Sequence, residues 1–194
     1  MNIADYVSAV APKRPLVTLP PIKFIASPNY STRSTVLSMV VVHDTEGGYD
    51  GAISWFRNPH SQVSAHVVLK EDGSEATQMV SYSAKAWHVA SYNSQALGLE
   101  MAGFAKLGYR DAQLRRAARI VAFFLREYKL PPRYLSSARI DAGERRGFTL
   151  HQNLGAAGGG HHDPGFSRTK ASWFAALVVY EYSRGGFRKV WGRN

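Results

Sequence analysis

Residues 36–43 of the 194-residue chain read VLSMVVVH and set the architecture of the fold. A strand with one face in water alternates polar and apolar residues, whereas this run is apolar at nearly every position. Such a run is typical of a strand that is buried on both faces, and Gly47-Gly48 ends it. The sequence therefore predicts a sheet that lies between two layers of other structure.

Shorter patterns predict further elements around this strand. The apolar runs 62–70 and 74–80 flank Glu71-Asp72-Gly73, and an Asp-Gly turn between such runs indicates two adjacent antiparallel strands. Strands followed by helices that pack on the sheet make an α/β or α+β layer fold. The remaining predicted strands are residues 84–89 and 97–101, and the predicted helices are residues 50–56, 111–130 and 170–182.

The predicted domain has a segment of different composition at each end. Residues 1–35 carry five prolines and little periodicity, which indicates an extended N-terminal arm that packs on the domain or trails from it. The domain itself is predicted for residues 36–183, and residues 184–194 form a basic C-terminal tail. The sequence contains no internal repeat, so a single domain is expected.

The charge balance is 24 Lys and Arg against 14 Asp and Glu, a formal net charge of +10. This excess predicts an anionic partner or setting: nucleic acid, an anionic lipid surface or an acidic cell-wall polymer. The absence of cysteine excludes disulfides, a thiol nucleophile and thiolate zinc sites. No apolar run reaches the roughly 18 residues that cross a bilayer, and residues 1–5 lack the features of a signal peptide. We therefore expect no membrane association, and a protein that works outside the cytoplasm would need another route of release.

Six histidines lie where predicted strands end or where glycines cluster. The last three of them fall in the glycine-rich stretch 151–165, which cannot hold its backbone by helix or strand propensity. Two or three imidazoles with a carboxylate fit zinc and leave a fourth position open, which is the arrangement of a catalytic site. The six are His43, His66, His88, His151, His161 and His162.

Spacing does not decide which of these histidines would bind a metal, because the sequence has no His-Glu-x-x-His helix. The alternative is that His43 and His66 are hydrogen-bonded core residues and that His161 and His162 form a solvated loop pair. For any single histidine this alternative is the stronger one. For six that lie near strand ends and in one loop, a metal site is the better hypothesis.

Several short blocks together resemble one known family, the type 2 N-acetylmuramoyl-L-alanine amidases. This family includes phage endolysins and bacterial recycling amidases and shares its fold with the peptidoglycan recognition proteins. The resemblance covers roughly residues 36–182 and implies an α/β domain with a central mixed β-sheet flanked by helices. The blocks, in order, are Val41-Val42-His43-Asp44-Thr45, Ser64-Ala65-His66, Ala86-Trp87-His88, Leu97-Gly98-Leu99-Glu100, His151 and Asp163-Pro164-Gly165.

The resemblance implies a zinc hydrolase and gives roles to five residues. His43, His151 and Asp163 match the family's three zinc ligands, with Asp163 where some members carry cysteine. Glu100 matches the catalytic glutamate, which takes a proton from the attacking water and passes it to the leaving amine; a solvent-facing strand residue is the alternative. His161 stands where the family commonly has a lysine that stabilises the oxyanion, and a hydrogen-bonding imidazole could do the same work. A metal ligand or a remodelled loop are the alternatives for His161.

Three more residues are predicted on the substrate side of the site. Trp87 and His88 resemble the strand that borders the substrate groove, where an aromatic face can stack on sugar or stem peptide. An ordinary core residue is an equal alternative for Trp87. His66 matches no metal ligand of the family, so structural or substrate-side work is assigned to it.

The implied function is zinc-dependent hydrolysis of the amide between N-acetylmuramic acid and L-alanine in peptidoglycan, by a phage endolysin or another wall-lytic enzyme. Such a monomer would be made in the host cytoplasm and reach the wall through a holin or with the virion, where its charge attracts anionic wall polymers. The alternative is a non-catalytic peptidoglycan-binding module, whose members typically lack a metal ligand. Nucleic acid is not an expected partner, because no recognised motif accompanies the dispersed basic residues.

Overall fold

The computed structural model describes residues 17–18, 22–184 and 187–188. Within these ranges the chain forms ten strands, four helices and five short 3-10 turns. The strands are β1 Val17–Thr18, β2 Ile22–Phe24, β3 Tyr30–Thr32, β4 Met39–Asp44, β5 Val67–Leu69, β6 Ala76–Gln78, β7 Ala84–Ala86, β8 Ala96–Met101, β9 Gly147–Leu150 and β10 Phe187–Arg188. The helices are α1 Tyr49–Arg57, α2 Asp111–Glu127, α3 Ser137–Asp141 and α4 Arg168–Ser183.

Strand β4 is the centre of the fold, and all six of its residues are buried. Val40 and Val42 belong to the core on one face of the sheet. Met39 and Val41, which alternate with them, belong to a separate core on the other face. The prediction of a strand buried on both faces is therefore confirmed.

The main sheet has six strands in the order β2-β6-β5-β8-β4-β9. Strands β5, β8, β4 and β9 run parallel to one another, whereas β6 is antiparallel to β5 and β2 is parallel to β6. The sheet is therefore mixed, as the resemblance implies. Because four neighbouring strands run in the same direction, their carboxyl ends meet at one edge of the sheet.

Helices cover both faces of this sheet. On one face α2 packs against β4, β8 and β9, and α4 packs against α2. The core there includes Phe124 of α2, Phe148 of β9 and Phe174 of α4, each less than 2% exposed. On the other face α1 lies against β5 and buries Tyr49 and Phe56. The predicted single α/β domain with flanking helices is confirmed.

The predicted strand pair at 62–70 and 74–80 exists as β5 and β6, which are antiparallel. Both are three residues long, because the segments beside them continue as loops. The strand predicted at 84–89 is shortened to β7, which pairs with β3 and lies outside the main sheet. The predicted helix 111–130 ends at Glu127, and Lys129 just beyond it has a left-handed φ of 52°.

Residues 22–32 of the predicted N-terminal arm pack on the domain, which is the first of the two alternatives. Strand β2 extends the main sheet beside β6, and β3 pairs with β7, so residues 22–32 are part of the folded unit. Sequence periodicity misses these strands because each is three residues long and pairs on one side only. Residues 1–16 and 19–21 of the predicted arm, and residues 185–186 and 189–194 of the predicted tail, lie outside the described residues. Strands β1 and β10 pair in parallel with each other.

Strand β9 and helix α3 are absent from the sequence-based prediction. Strand β9 is an edge strand of four residues that completes the main sheet beside β4. Helix α3 is five residues long, too short for a periodic apolar pattern to emerge. Among the described helices, none combines the length and the apolar character needed to span a bilayer.

Candidate active site

The candidate site lies at the edge of the sheet where the carboxyl ends of the parallel strands meet. His43 and Glu100 are cross-strand partners on β4 and β8, and in this register they are direct neighbours. His151 follows the last residue of β9, on the other side of β4. Ligands in α/β sheets bind at this edge, because loops of different strands converge there. The parallel direction of the strands and their register thus bring His43, Glu100 and His151 together at one edge of the sheet.

His43, His151 and Asp163 form a tight cluster. The two Nδ1 atoms of His43 and His151 are 2.9 Å apart. The Asp163 carboxylate lies 2.9 Å from Nδ1 of His151 and 3.3 Å from Nδ1 of His43. All three groups offer atoms within 4.8 Å of one another, close enough to surround one metal ion. The structure therefore brings together the three residues that the resemblance assigns as zinc ligands.

The hydrogen bonds behind the cluster show that these residues fit a cation. Nε2 of His151 lies 2.8 Å from the carbonyl oxygen of Gly158, which only accepts, so the ring carries its proton on Nε2. Its Nδ1 lone pair therefore points at the Asp163 carboxylate and at Nδ1 of His43. Electron-rich atoms this close need a proton or a metal ion between them. Imidazole nitrogens and a carboxylate oxygen are the ligands of catalytic zinc.

Burial and the cluster itself shift the pKa values of His43 and Asp163 in the direction a metal site needs, whereas for His151 the Asp163 carboxylate outweighs burial and raises the pKa. Burial lowers the pKa of His43 to about 4, although the hydrogen bond to Asp163 opposes the change. Burial acts to raise the pKa of Asp163, but its hydrogen bonds to His151 and His43 outweigh burial and hold that pKa far below its usual range. At neutral pH the site thus holds a neutral His43 and an ionised Asp163, both able to bind a cation.

A second carboxyl group, Glu100, faces the cluster without a partner. Glu100 is 7% exposed, and its Oε2 is buried with no hydrogen-bond partner among the described residues. Burial, followed by the nearby charges of Asp163 and Asp44, raises the pKa of Glu100 well above its ordinary value. A buried carboxyl with a raised pKa at a cleft is suited to accept and return a proton.

His161 lies at the mouth of the site. Its side chain is 64% exposed, and its Nδ1 is 3.9 Å from the Asp163 carboxylate. Its ring stacks on that of His151, with centroids 4.7 Å apart. His161 is therefore beside the metal cluster and is free to reach a bound substrate, whereas it is too far from Asp163 to share a hydrogen bond with it.

An open cleft of about 560 Å³ leads to these groups. Trp87 lines it, and the indole N–H of Trp87 donates to the Ser31 hydroxyl at 3.0 Å, which fixes the ring. Trp55 of α1 also lines the cleft and is 54% exposed. Sequence reasoning missed Trp55, because an aromatic residue in a short helix is usually part of the core; its exposure is visible only in the fold.

Two more residues that the sequence did not single out as site residues hold Asp163 in place. The Tyr109 hydroxyl contacts the Asp44 carboxylate and donates to the carbonyl oxygen of Pro164 at 2.8 Å. The backbone N–H of Asp44 donates to the Asp163 carboxylate at 3.3 Å. These contacts tie the loop that carries Asp163 to the end of β4. No sequence signal links Tyr109 to Pro164, since the two meet only through the tertiary fold.

Of the two roles predicted for His66, structural and substrate-side, its surroundings favour the structural one. The side chain of His66 is fully buried and does not line the cleft. Its Nδ1 accepts the backbone N–H of Gly98 at 3.0 Å, and its Nε2 therefore donates to the carbonyl oxygen of Ala84 at 3.2 Å. His66 links β8 to β7 and is a structural residue. The sequence suggests a site role because His66 lies in one of the blocks of the family resemblance.

The comparisons with known proteins agree with this site. The model of a family described as N-acetylmuramoyl-L-alanine amidase matches residues 33–166. N-acetylmuramoyl-L-alanine amidase A of Achromobacter lyticus is 45% identical over 80 residues, which cover 41% of this chain and 45% of that protein. The 1,6-anhydro-N-acetylmuramyl-L-alanine amidase AmpD of Citrobacter freundii is 35% identical over 77 residues, which cover 36% of this chain and 41% of that protein. The matched part is thus less than half the length of either relative.

A solved structure shows the same fold over nearly the whole chain. The hydrolase AmiA of Staphylococcus aureus, in complex with its ligand, aligns with a TM-score of 0.69 at 20% sequence identity. The alignment covers 94% of this chain and 91% of that one. The family model spans more than half of the chain and includes His43, Glu100, His151 and Asp163. The chain belongs to the N-acetylmuramoyl-L-alanine amidase family.

Proposed function

We propose that this chain is a zinc-dependent hydrolase that cuts the amide between N-acetylmuramic acid and L-alanine in peptidoglycan. One observation carries the proposal: the unpaired buried carboxyl of Glu100 faces the same open cleft as three converging metal-binding groups. A binding module has no use for an unpaired buried carboxyl, whose burial costs stability. The family membership supports the same class of reaction.

The zinc ion would be held by Nδ1 of His43, Nδ1 of His151 and the Asp163 carboxylate. When bound there, zinc polarises the carbonyl of the scissile amide and makes water a stronger nucleophile. His151 keeps its orientation because its Nε2 is tied to the Gly158 carbonyl oxygen. The cluster is open toward the cleft, which leaves space for the amide.

Glu100 would transfer the proton that the reaction needs. Its carboxylate takes a proton from the attacking water while the new C–O bond forms at the amide carbon. The same proton then passes to the nitrogen of L-alanine as the C–N bond breaks, which gives a carboxylic acid on the lactyl group and a free amine. The acid then releases the second proton of the water to solvent and leaves as a carboxylate. The raised pKa of Glu100 makes its carboxylate a stronger proton acceptor than an exposed carboxylate.

Replacing His161 should affect turnover and leave zinc binding intact. The exposed imidazole can donate to the oxyanion that develops on the amide carbonyl, and removing one such donor lowers kcat by a factor of about 100 to 1,000. We expect this loss for His161→Ala, and substantial recovery for His161→Lys, which again supplies a hydrogen-bond donor at this position. The measurement is kcat on a soluble muropeptide together with zinc content. Loss of zinc in His161→Ala would instead make His161 a metal ligand.

Replacing Trp55 should weaken substrate binding without slowing the chemical step. An exposed indole on the cleft wall gives a flat apolar face for a sugar ring or peptide, and aromatic contacts of this kind contribute about 0.5–1.5 kcal/mol. We therefore expect Trp55→Ala to raise KM roughly two- to tenfold with little change in kcat. Trp173→Ala is the matched control, because Trp173 is 38% exposed on α4 and does not line the cleft. Equal KM values for Trp55→Ala and the parent chain would remove Trp55 from the binding surface.

Product analysis tests the proposed reaction. The chain is incubated with a soluble N-acetylmuramoyl peptide, and the products are separated and weighed by mass spectrometry. The proposal expects a free N-acetylmuramic acid and a stem peptide with a new α-amino group on L-alanine. A muropeptide that binds to the chain and is recovered intact would make the chain a binding module.

We also propose that the enzyme acts on the bacterial wall as a phage endolysin or a related lytic enzyme, and that it is made in the host cytoplasm and released by a holin or with the virion. The net charge of +10 supports attraction to anionic wall polymers. Cells that make the chain alone should stay intact and should lyse when a holin is made with it. Lysis without a holin would contradict this route.

A further inference from the structure

The ring of His88 makes one hydrogen bond within the described part of the chain, and its partner is His43. Nδ1 of His88 lies 2.9 Å from Nε2 of His43. The other ring nitrogen, Nε2 of His88, is buried and has no partner among residues 22–184. An imidazole placed here for its own stability would leave no buried nitrogen unpaired, since that is costly. The polar side of this ring is thus used for His43 alone.

The backbone around His88 fixes the ring in this position. The amide oxygen of Asn93 accepts the backbone N–H groups of His88 and Val89 at 2.8 Å and 2.7 Å. On the other side the ring lies against Gly98 of β8, where a Cβ atom would be 2.7 Å from Nδ1 of His88. Gly98 therefore leaves the space that the imidazole occupies, and the ring cannot shift toward β8.

We propose that His88 is a positioning residue for the metal ligand His43. Its Nδ1 accepts the Nε2–H of His43, which places the Nδ1 lone pair of His43 toward His151 and Asp163. This inference rests on the proposed function, because it concerns the residues that hold the zinc ion. It differs from the substrate-binding role predicted for His88: the residue lines the cleft, but one ring nitrogen is engaged by His43 and the other is buried.

The role has a consequence for metal affinity that a substrate contact would not have. Without His88, the Nε2–H of His43 loses its acceptor, the ring can rotate, and the tautomer with the proton on Nδ1 competes with metal binding. Residues that support a metal ligand in this way typically change metal affinity by a factor of roughly 10 to 100. A residue that contacts substrate would instead change KM and leave zinc affinity as it was.

Two substitutions at position 88 separate hydrogen bonding from ring volume. Asn carries an oxygen at the δ position, where His88 has its accepting nitrogen, whereas Leu carries a methyl group there. The zinc dissociation constant of each purified variant is measured by competition with a chromogenic chelator. We expect His88→Leu to weaken zinc binding roughly 10- to 100-fold and His88→Asn to recover most of the loss. His60→Asn is the matched control, because His60 is exposed on the turn after α1 and does not line the cleft.

Gly98→Ala tests the same contact while His88 is still present. The added methyl group must displace the ring of His88, so we expect zinc binding to weaken as it does in His88→Leu. In the double variant with His88→Ala the methyl group no longer meets a ring, and the effect of Gly98→Ala on zinc affinity should largely disappear. Additive effects in the double variant would count against the inference, and circular dichroism of each variant shows whether the fold is kept.

The outcomes distinguish this inference from the proposed function. If the parent chain binds zinc and His88→Leu binds it equally well, His88 does not position His43, and the proposed function stands. If His88→Leu keeps its zinc affinity and raises KM, His88 has the substrate role instead. If the parent chain itself binds no zinc, the proposed function and this inference both fail.

Discussion

Glu100→Gln is expected to lower kcat roughly 100- to 10,000-fold while the protein keeps its zinc. Glutamine has nearly the same shape but cannot take a proton from water or return it to the leaving amine. Because Glu100 is not one of the three clustered metal-binding groups, its replacement is expected to remove proton transfer and to leave the zinc ligands in place. The measurement is kcat on a soluble muropeptide, with zinc content determined on the same protein sample.

The stability of Glu100→Gln gives an independent readout. Burial raises the pKa of Glu100, so folding favours its protonated form, and this group destabilises the metal-free fold increasingly as the pH rises above its unfolded value of about 4.5. The neutral amide removes that penalty, and the metal-free variant should have an equal or higher Tm at neutral pH. Glu144→Gln serves as the control, because Glu144 forms surface ion pairs with Arg133 and Arg139 and should leave kcat unchanged. Full activity in Glu100→Gln would exclude Glu100 as the acid and base.

Asp163→Ala is expected to abolish zinc retention and, with it, turnover. The Asp163 carboxylate is the one negative charge among the three clustered groups, and its pKa is held far below the usual range by His151 and His43. Its loss should weaken zinc binding by more than about 100-fold. Loss of a residue that only orients a metal ligand typically lowers metal affinity by a factor of about 10 to 100. Equilibrium dialysis followed by metal analysis measures the change directly.

The neighbouring residue supplies the control for this loss. His162 is exposed, and its backbone carbonyl alone is engaged in the turn, so His162→Ala should retain both zinc and activity. Comparing the zinc content of Asp163→Ala with that of Glu100→Gln is the sharper test of the roles assigned to the two residues. Similar zinc loss in Asp163→Ala and Glu100→Gln would show that the division between metal ligand and proton carrier is wrong.

The sequence predicts the centre of the fold well because that part is determined locally. An apolar run rich in β-branched residues, such as residues 36–43, favours a strand buried on both faces, and the amphipathic pattern of residues 111–130 favours a helix on that sheet. The short edge strands β2 and β9 escape prediction for the opposite reason. Each is three or four residues long and is stabilised by pairing with a distant segment, which leaves little trace in local composition.

The site was predictable to the extent that its residues have unusual chemistry. Histidine at the end of a buried strand and a carboxylate in a glycine-rich loop point to a metal, but the choice of His43, His151 and Asp163 came from the family resemblance. Side-chain direction lies outside what the sequence shows. His66 turns into the protein to bond Gly98, and His88 turns to His43, although both histidines look alike in sequence.

The central claim is that this chain uses zinc to free the amino group of L-alanine in peptidoglycan. The most direct test measures zinc content of the purified chain and counts new L-alanine amino termini in treated sacculi, before chelation, after chelation and after zinc is restored. We expect one zinc ion per chain, new termini that stop appearing on chelation, and recovery with zinc. A purified chain that holds no zinc, and that binds sacculi without producing new L-alanine termini, would contradict the claim.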